Sequence, residues 1–126
     1  MTKQKPRKSK VGKVAAKEPK PLPSNTSIRD AGEKMRALNA EKFPVVAGNK
    51  LVGTVKGKHP DRRVAGFGHD PTTILVAESM TKEKFYCSED QTVEEARKIM
   101  RKNGLTHLPV VDGKFQIVGM VSLKKM

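Results

Sequence analysis

Residues 27–48, SIRDAGEKMRALNAEKFPVVAG, and residues 92–113, TVEEARKIMRKNGLTHLPVVDG, align without a gap at an offset of 65. Ile28 meets Val93, Ala31 meets Ala96, Met35 meets Met100, Arg36 meets Arg101, Pro44 meets Pro109, Val45 and Val46 meet Val110 and Val111, and Gly48 meets Gly113. One inserted residue makes the offset 66, after which Val52-Gly53 meets Val118-Gly119, Val55 meets Val121 and Lys58 meets Lys124. The chain is an internal duplication, the sequence mark of one structural unit made twice.

Each copy reads the same way. Ser27 or Thr92 stands where an N-cap is needed, and apolar residues follow at spacings of three and four, the period of one helical face. Thr92 and Glu95 have the spacing of a capping box, and Gly104 is placed to end the second helix. LPVV (108–111) and, across a DGK turn, FQIVGMVSL (115–123) read as two strands of a hairpin. Upstream, SMTKEKFYCS (79–88) and its counterpart VAAKEPKPLPS (14–24) read as opening strands. Pro19, Pro21 and Pro23 make the first of these an edge or an irregular extended segment. The expected fold class is α+β, with two β-α-β-β units packed as a pair.

Around this core, 126 residues with 36% hydrophobic content bound the chain to one small domain or two very small units and exclude a large multidomain enzyme. Twenty-six Lys and Arg against thirteen Asp and Glu give a net charge of +13, a surface suited to nucleic acid, acidic lipid or phosphorylated small molecules. Residues 1–23 hold eight Lys or Arg against one Glu and almost no apolar period. Residues 1–13 are therefore read as a disordered Lys-rich tail, 14–60 and 74–126 as the two copies, and 61–73 as a linker. One cysteine, Cys87, permits no internal disulfide, and no signal-type or spanning apolar run follows the basic start. A cytoplasmic setting with no membrane span is the expectation.

With the repeat in hand, residues 79–126 resemble a CBS motif, named after cystathionine beta-synthase. The residues that carry the likeness are Met80-Thr81, Ala96, Met100, His107, Pro109-Val110-Val111-Asp112 and Gly119-Met120-Val121-Ser122. Residues 14–60 follow through the internal alignment. The resemblance implies two motifs paired through their sheets, with clefts for adenosine-containing ligands such as AMP, ADP, ATP or S-adenosylmethionine. It implies a non-catalytic regulatory or sensor protein, with an adenine nucleotide as regulatory ligand and no required cofactor. The regulated enzyme or transporter would lie on another chain.

In the family the ligand chemistry gathers in Gly-apolar-apolar-Ser/Thr-x-x-Asp, where the hydroxyl meets ribose or phosphate and the carboxylate accepts from ribose hydroxyls. Here the second copy keeps the hydroxyl at Ser122 but has Lys125 at the carboxylate position. The first has Lys56 for the hydroxyl and His59 for the carboxylate. An ammonium donates and does not accept, so it replaces a ribose acceptor poorly and attracts phosphate instead. His107, and Lys42 at the matching place, stand where the family often has a basic residue near the cleft. The plainer reading of His107 is a half-exposed strand-start histidine, and that of Lys56, His59, Arg62, Arg63 and Lys125 is a solvated charged face. Asp70, Thr72 and Thr73 precede the apolar run ILVA, read as a strand; they are either cleft-lining residues or turn and strand-entry chemistry. The GFGHD segment (66–70) is assigned to the linker rather than to a phosphate loop.

The family unit normally closes with another helix after this segment, whereas the chain stops at Met126 and KHPDRRVAGFGHD holds Pro60 and three glycines that discourage a long helix. Uncovered apolar sheet surface, and a homodimer that covers it, are the expected consequence. A rival reading, in another class, is a nucleic-acid-binding protein that uses Lys3, Lys5, Arg7, Lys8, Lys10 and Lys13 on a repeat scaffold, and a third is a ligand-free dimerisation module. Five aromatics without an interleaved basic stripe weigh against base stacking. No carboxylate pair, nucleophile–base pattern or metal spacing emerges, so no enzyme and no metal site are expected, and Cys87 is a packing residue.

Overall fold

The computed structural model describes residues 8–126. In chain order the elements are β1 (Leu22–Pro23), α1 (Ile28–Ala37), β2 (Lys42–Ala47), β3 (Lys50–Lys56), α2 (Pro60–Gly66), α3 (Val76–Ser79), β4 (Cys87–Ser88), α4 (Val93–Asn103), β5 (His107–Val111) and β6 (Ile117–Ser122). Single 3-10 turns lie at Val11–Lys13 and Leu123–Lys125. The local chemistry is the expected one. The Asp30 amide donates to Ser27 Oγ at 3.1 Å, and the Glu95 amide donates to Thr92 Oγ1 at 3.1 Å. Glu95 Oε1 in return accepts the Thr92 amide at 2.9 Å, which completes the capping box, and Gly104 closes α4 at φ +66°.

The strands form two three-stranded sheets, β1-β2-β3 and β4-β5-β6. In each the short first strand runs parallel to the second, and the hairpin is antiparallel. Both hairpins shift register at the same place of the repeat, Val45/Val46 and Val110/Val111. The mixed α+β class and the β-α-β-β unit are as read, and β1 is an edge strand.

The spatial units cut across the sequence repeats. One unit joins residues 8–20 with Phe85–Met126; the other is Pro21–Lys84. The exchange is reciprocal, bond for bond. The Val11 amide donates to Gln91 O (2.7 Å) and, 65 residues on, the Val76 amide to Thr26 O (2.8 Å). The Gly12 amide donates to Glu89 O (3.0 Å), as Ala77 does to Ser24 O (3.0 Å), and Val93 donates to Ser9 O (2.8 Å), as Ile28 does to Ile74 O (2.8 Å). Ala16 and Met120 exchange two bonds of 2.8 Å, and their counterparts Thr81 and Thr54 exchange bonds of 2.9 and 3.0 Å. The early part of each copy's opening segment thus bridges the other copy's hairpin, while its last residues, Leu22-Pro23 or Cys87-Ser88, pair within their own sheet.

Gly53 and Gly119 make this approach feasible. A Cβ on Gly53 would lie 2.3 Å from Thr81 O, and one on Gly119 would lie 2.8 Å from Ala15 Cβ and 3.0 Å from Ala16 O. The motif glycines hold the place where a foreign backbone passes over the strand.

Several expectations are corrected. Residues 8–13 belong to the fold rather than to a disordered tail. Lys10 bridges Thr92, and Val11 is fully buried in a core with Val93, Ala96, Met100, Leu108, Val110 and Val121. ILVA is a helical entry, with α3 forming one turn whose Glu78 carboxylate accepts the Leu75 amide at 3.2 Å. Within SMTKEKFYCS only Cys87-Ser88 pairs as a strand, and Thr81 makes an isolated bridge. The segment read as unsuited to a long helix does hold a short one, the seven-residue α2, with Pro60 at its first position, where its missing N–H costs nothing. The apolar sheet residues are not left uncovered: Phe43, Val45, Leu51, Val55, Leu108, Val110, Met120 and Val121 are all buried. The large apolar side chains that remain exposed among the described residues are Phe67, Leu75 and Tyr86.

Candidate functional site

In the unit that carries the second copy, antiparallel pairing of β5 and β6 sets His107 opposite Ser122. The following 3-10 turn, tied by the Leu123 amide to Thr106 O at 2.9 Å, carries Lys125. His107 is 8% exposed, and its Nδ1 lies 2.8 Å from Thr106 Oγ1. Burial, and secondarily the nearby Lys125 ammonium, hold its pKa below the ordinary 6.5. Two basic groups thus stand together. Among the described residues the Ser122 hydroxyl and the Lys125 ammonium have no hydrogen-bond or ion-pair partner. The site presents donors of both kinds, hydroxyl and ammonium, to an acceptor.

The corresponding place in the other unit is organised differently. Lys42 and Lys56 are register partners across β2 and β3, but Lys56 Nζ is in an ion pair with the Glu83 carboxylate. Thr54 Oγ1 donates to Glu83 O at 2.6 Å, so the opening segment of the second copy is fastened here by its backbone as well. Arg63 Nη1 donates to Lys56 O at 3.3 Å. His59 Nδ1 lies 3.3 Å from Arg36 Nη1, and Arg36 grips Asp61 with two bonds of 2.9 and 3.1 Å and Lys58 O with one of 3.0 Å. That guanidinium holds the Asp61 carboxyl below its ordinary 3.8. The grip locks α2 onto α1 where Gly32 clears the way, since a Cβ there would meet Asp61 Oδ1 at 2.4 Å.

The candidate residues therefore fall into three groups. His107, Ser122 and Lys125 converge; Lys42 and Lys56 are opposite each other across β2 and β3, Lys56 paired with Glu83, and His59 is in the Arg36–Asp61 network. Asp70, Thr72 and Thr73 bond to one another. Asp70 Oδ1 accepts the Thr72 amide (2.9 Å) and hydroxyl (2.7 Å), and Thr73 Oγ1 donates to Asp70 O (3.1 Å), the chemistry of a turn. Of the basic tail, Lys8 and Lys13 are exposed and Lys10 faces Asp90 at 3.9 Å; Lys3, Lys5 and Arg7 lie outside the described residues. Cys87 is buried, and desolvation pushes its thiol up to about 12, so it stays protonated and unreactive.

Sequence reasoning missed Glu83, Asp61 and Arg97. Glu83 was visible only as the counterpart of Glu18 in the alignment, with nothing to join it to Lys56, 27 positions away in the chain. Arg97 occupies the place of Gly32 in the repeat; its side chain is 11% exposed and 3.8 Å from Glu94, and its Nη2 is buried with no hydrogen-bond partner. Among the described residues no group of three His, Cys, Asp or Glu is arranged to hold a metal, and no helix is long and apolar enough to cross a membrane.

Comparison with known proteins bears on this geometry. The family model described as CBS domain matches residues 11–58 and 76–126. The chain is 35% identical over 98 residues to an inosine-5′-monophosphate dehydrogenase of Korarchaeum cryptofilum, a match that covers 78% of this chain and 19% of that enzyme. The chain thus spans about a fifth of the length of the curated enzymes it matches. Among solved structures it is similar to a CBS domain pair/ACT domain protein from Thermotoga maritima, with TM-score 0.74, 21% identity and coverage of 93% of this chain and 92% of that one. It is also similar to the CBS domain pair of protein MJ0100, solved with 5′-methylthioadenosine and S-adenosyl-L-methionine, with TM-score 0.66, 25% identity and coverage of 94% and 92%.

Proposed function

The chain belongs to the CBS domain family, and from that premise we propose that it is a non-catalytic, cytoplasmic regulatory module that binds an adenosine-containing ligand. The observation that carries the reading is the grouping of His107, Ser122 and Lys125, in which the Ser122 hydroxyl and the Lys125 ammonium have no partner among the described residues. That set complements a phosphate better than a bare ribose, so AMP, ADP or ATP fits it better than adenosine does. The solved pair that holds 5′-methylthioadenosine and S-adenosyl-L-methionine supports the nucleoside part of the reading. Regulation follows if the ligand binds one arrangement of the module more tightly than another, since equal affinity shifts no equilibrium. The module would act as a homodimer, on an enzyme or transporter carried by another chain.

The test is calorimetric titration of the full chain at two salt concentrations with AMP, ATP, adenosine and S-adenosylmethionine, with GMP and pyrophosphate as controls for plain charge attraction. Saturable AMP or ATP binding that outlasts the higher salt and exceeds that of GMP is the expected result. Equal, salt-sensitive binding of all anions overturns it, and steeply salt-dependent binding of nucleic acid in its place moves the function to the basic residues of the tail.

A further inference from the structure

The two copies arrive at equivalent sites with opposite electrostatic states. Around β2 and β3 the cation Lys56 already has an anion, the Glu83 carboxylate, while Thr54 Oγ1 holds the Glu83 carbonyl. Glu83 reaches that place because the opening segment of the second copy is exchanged into the first copy's sheet, where Thr81 and Thr54 bond twice. The matching residue of the first copy, Glu18, takes a different course: its carboxylate accepts the amide of Lys20 at 3.1 Å. Ser122, which replaces Lys56 in the repeat, and Lys125, which replaces His59, are left without a carboxylate partner among the described residues. A cation already paired with a carboxylate attracts a further anion less than an unpaired one does, because the carboxylate competes for it.

We propose that the chain is an asymmetric receptor: the His107–Ser122–Lys125 site takes one phosphate-bearing ligand, and the Lys42–Lys56 site is kept shut by Glu83 acting as a built-in competing carboxylate. The proposal rests on the ligand reading above for the nucleoside and on the ion-pair pattern alone for the asymmetry. It names a regulatory element, the Lys82–Lys84 end of an exchanged segment, whose displacement would open a second anion site in the same chain.

Calorimetric stoichiometry separates the two. Wild-type chain should bind AMP at one per chain; a Ser122→Ala/Lys125→Ala double variant should weaken it by about tenfold or more. Glu83→Gln, which keeps the backbone contact and removes the charge, should add a second binding event, and Lys56→Ala alone should leave the first one unchanged. Pyrophosphate serves as a second probe. One pyrophosphate per chain, lost in the double variant and with no preference for AMP, upholds the asymmetry and sinks the adenosine reading. Two AMP per chain in the wild type, or AMP binding lost in Lys56→Ala and intact in the double variant, upholds the adenosine reading and overturns the asymmetry. Binding of neither probe overturns both.

Discussion

Replacing Gly53 or Gly119 by Ala tests whether these glycines seat each exchanged opening segment on its sheet. At Gly53 the new Cβ would stand 2.3 Å from Thr81 O and 2.8 Å from Met80 Sδ. Ordinary contact requires a displacement of roughly 1 Å. The Thr54 and Thr81 amide bonds, now 3.0 and 2.9 Å, do not survive such a shift. Two buried backbone bonds at about 1 kcal/mol each, with the crowding of Met80 added and about 0.5–1 kcal/mol returned by the lower chain entropy of Ala, leave a net loss of about 2 kcal/mol. At Gly119 the nearest atoms are Ala15 Cβ at 2.8 Å and Ala16 O at 3.0 Å, so the segment needs to give by roughly half as much, and the loss is about 1 kcal/mol. Gly113, with nothing within 4 Å of its Cβ position, is the control and should change by less than about 0.5 kcal/mol. Urea unfolding at constant m gives the three values, and amide exchange at Thr54 and Thr81 locates the damage in Gly53→Ala. If both motif variants match Gly113→Ala, or if Thr54 and Thr81 keep their protection, the glycines do not serve the exchange and the reasoning fails.

Val11→Ala removes two buried carbons from the core and should cost about 2 kcal/mol by the same urea assay; an unchanged midpoint would return Val11 to the disordered tail. Asp61→Asn should lose stability at neutral pH and lose less in acid. Because Arg36 depresses the folded Asp61 pKa below 3.8, the pair's contribution is present above that value and fades as pH falls through the depressed one. Wild type and variant should therefore converge in urea titrations run at successively lower pH, and a constant gap would refute the ion pair as the cause. Arg97→Met keeps the stem and removes a buried Nη2 that has no partner, so thermal unfolding should show stability equal to the wild type or higher by up to about 1 kcal/mol; a clear loss would mean that the guanidinium is satisfied.

The local elements were legible because each is set by neighbours in sequence. Ser27, the Thr92–Glu95 pair and Gly104 announce helix ends through contacts within a few residues, and the Met35 and Met100 faces follow from helical period alone. Site reading was weaker for a physical reason. Ser122 and His107 are 15 residues apart in the chain and meet because the hairpin register makes them opposite. Lys56 and Glu83 meet only through the exchange, and Arg36 finds Asp61 only because a short helix folds back on α1. ILVA failed as a strand because an apolar run of four residues has no period that separates a strand from one buried helical turn.

By itself the sequence determined that a unit is made twice, where its helices begin and end, which strands pair as hairpins, and that the surface is strongly basic. These follow from periodicity, capping and composition, all of which act over a few residues. Only the tertiary structure decided which opening segment serves which sheet. A copy joined to its own segment and a copy joined to its counterpart's segment can make equivalent backbone hydrogen bonds, so the backbone pattern of the repeat does not distinguish them. The distinction lies in chain connectivity in space, and with it went the fate of Lys56, paired with Glu83, and of Ser122 and Lys125, left open.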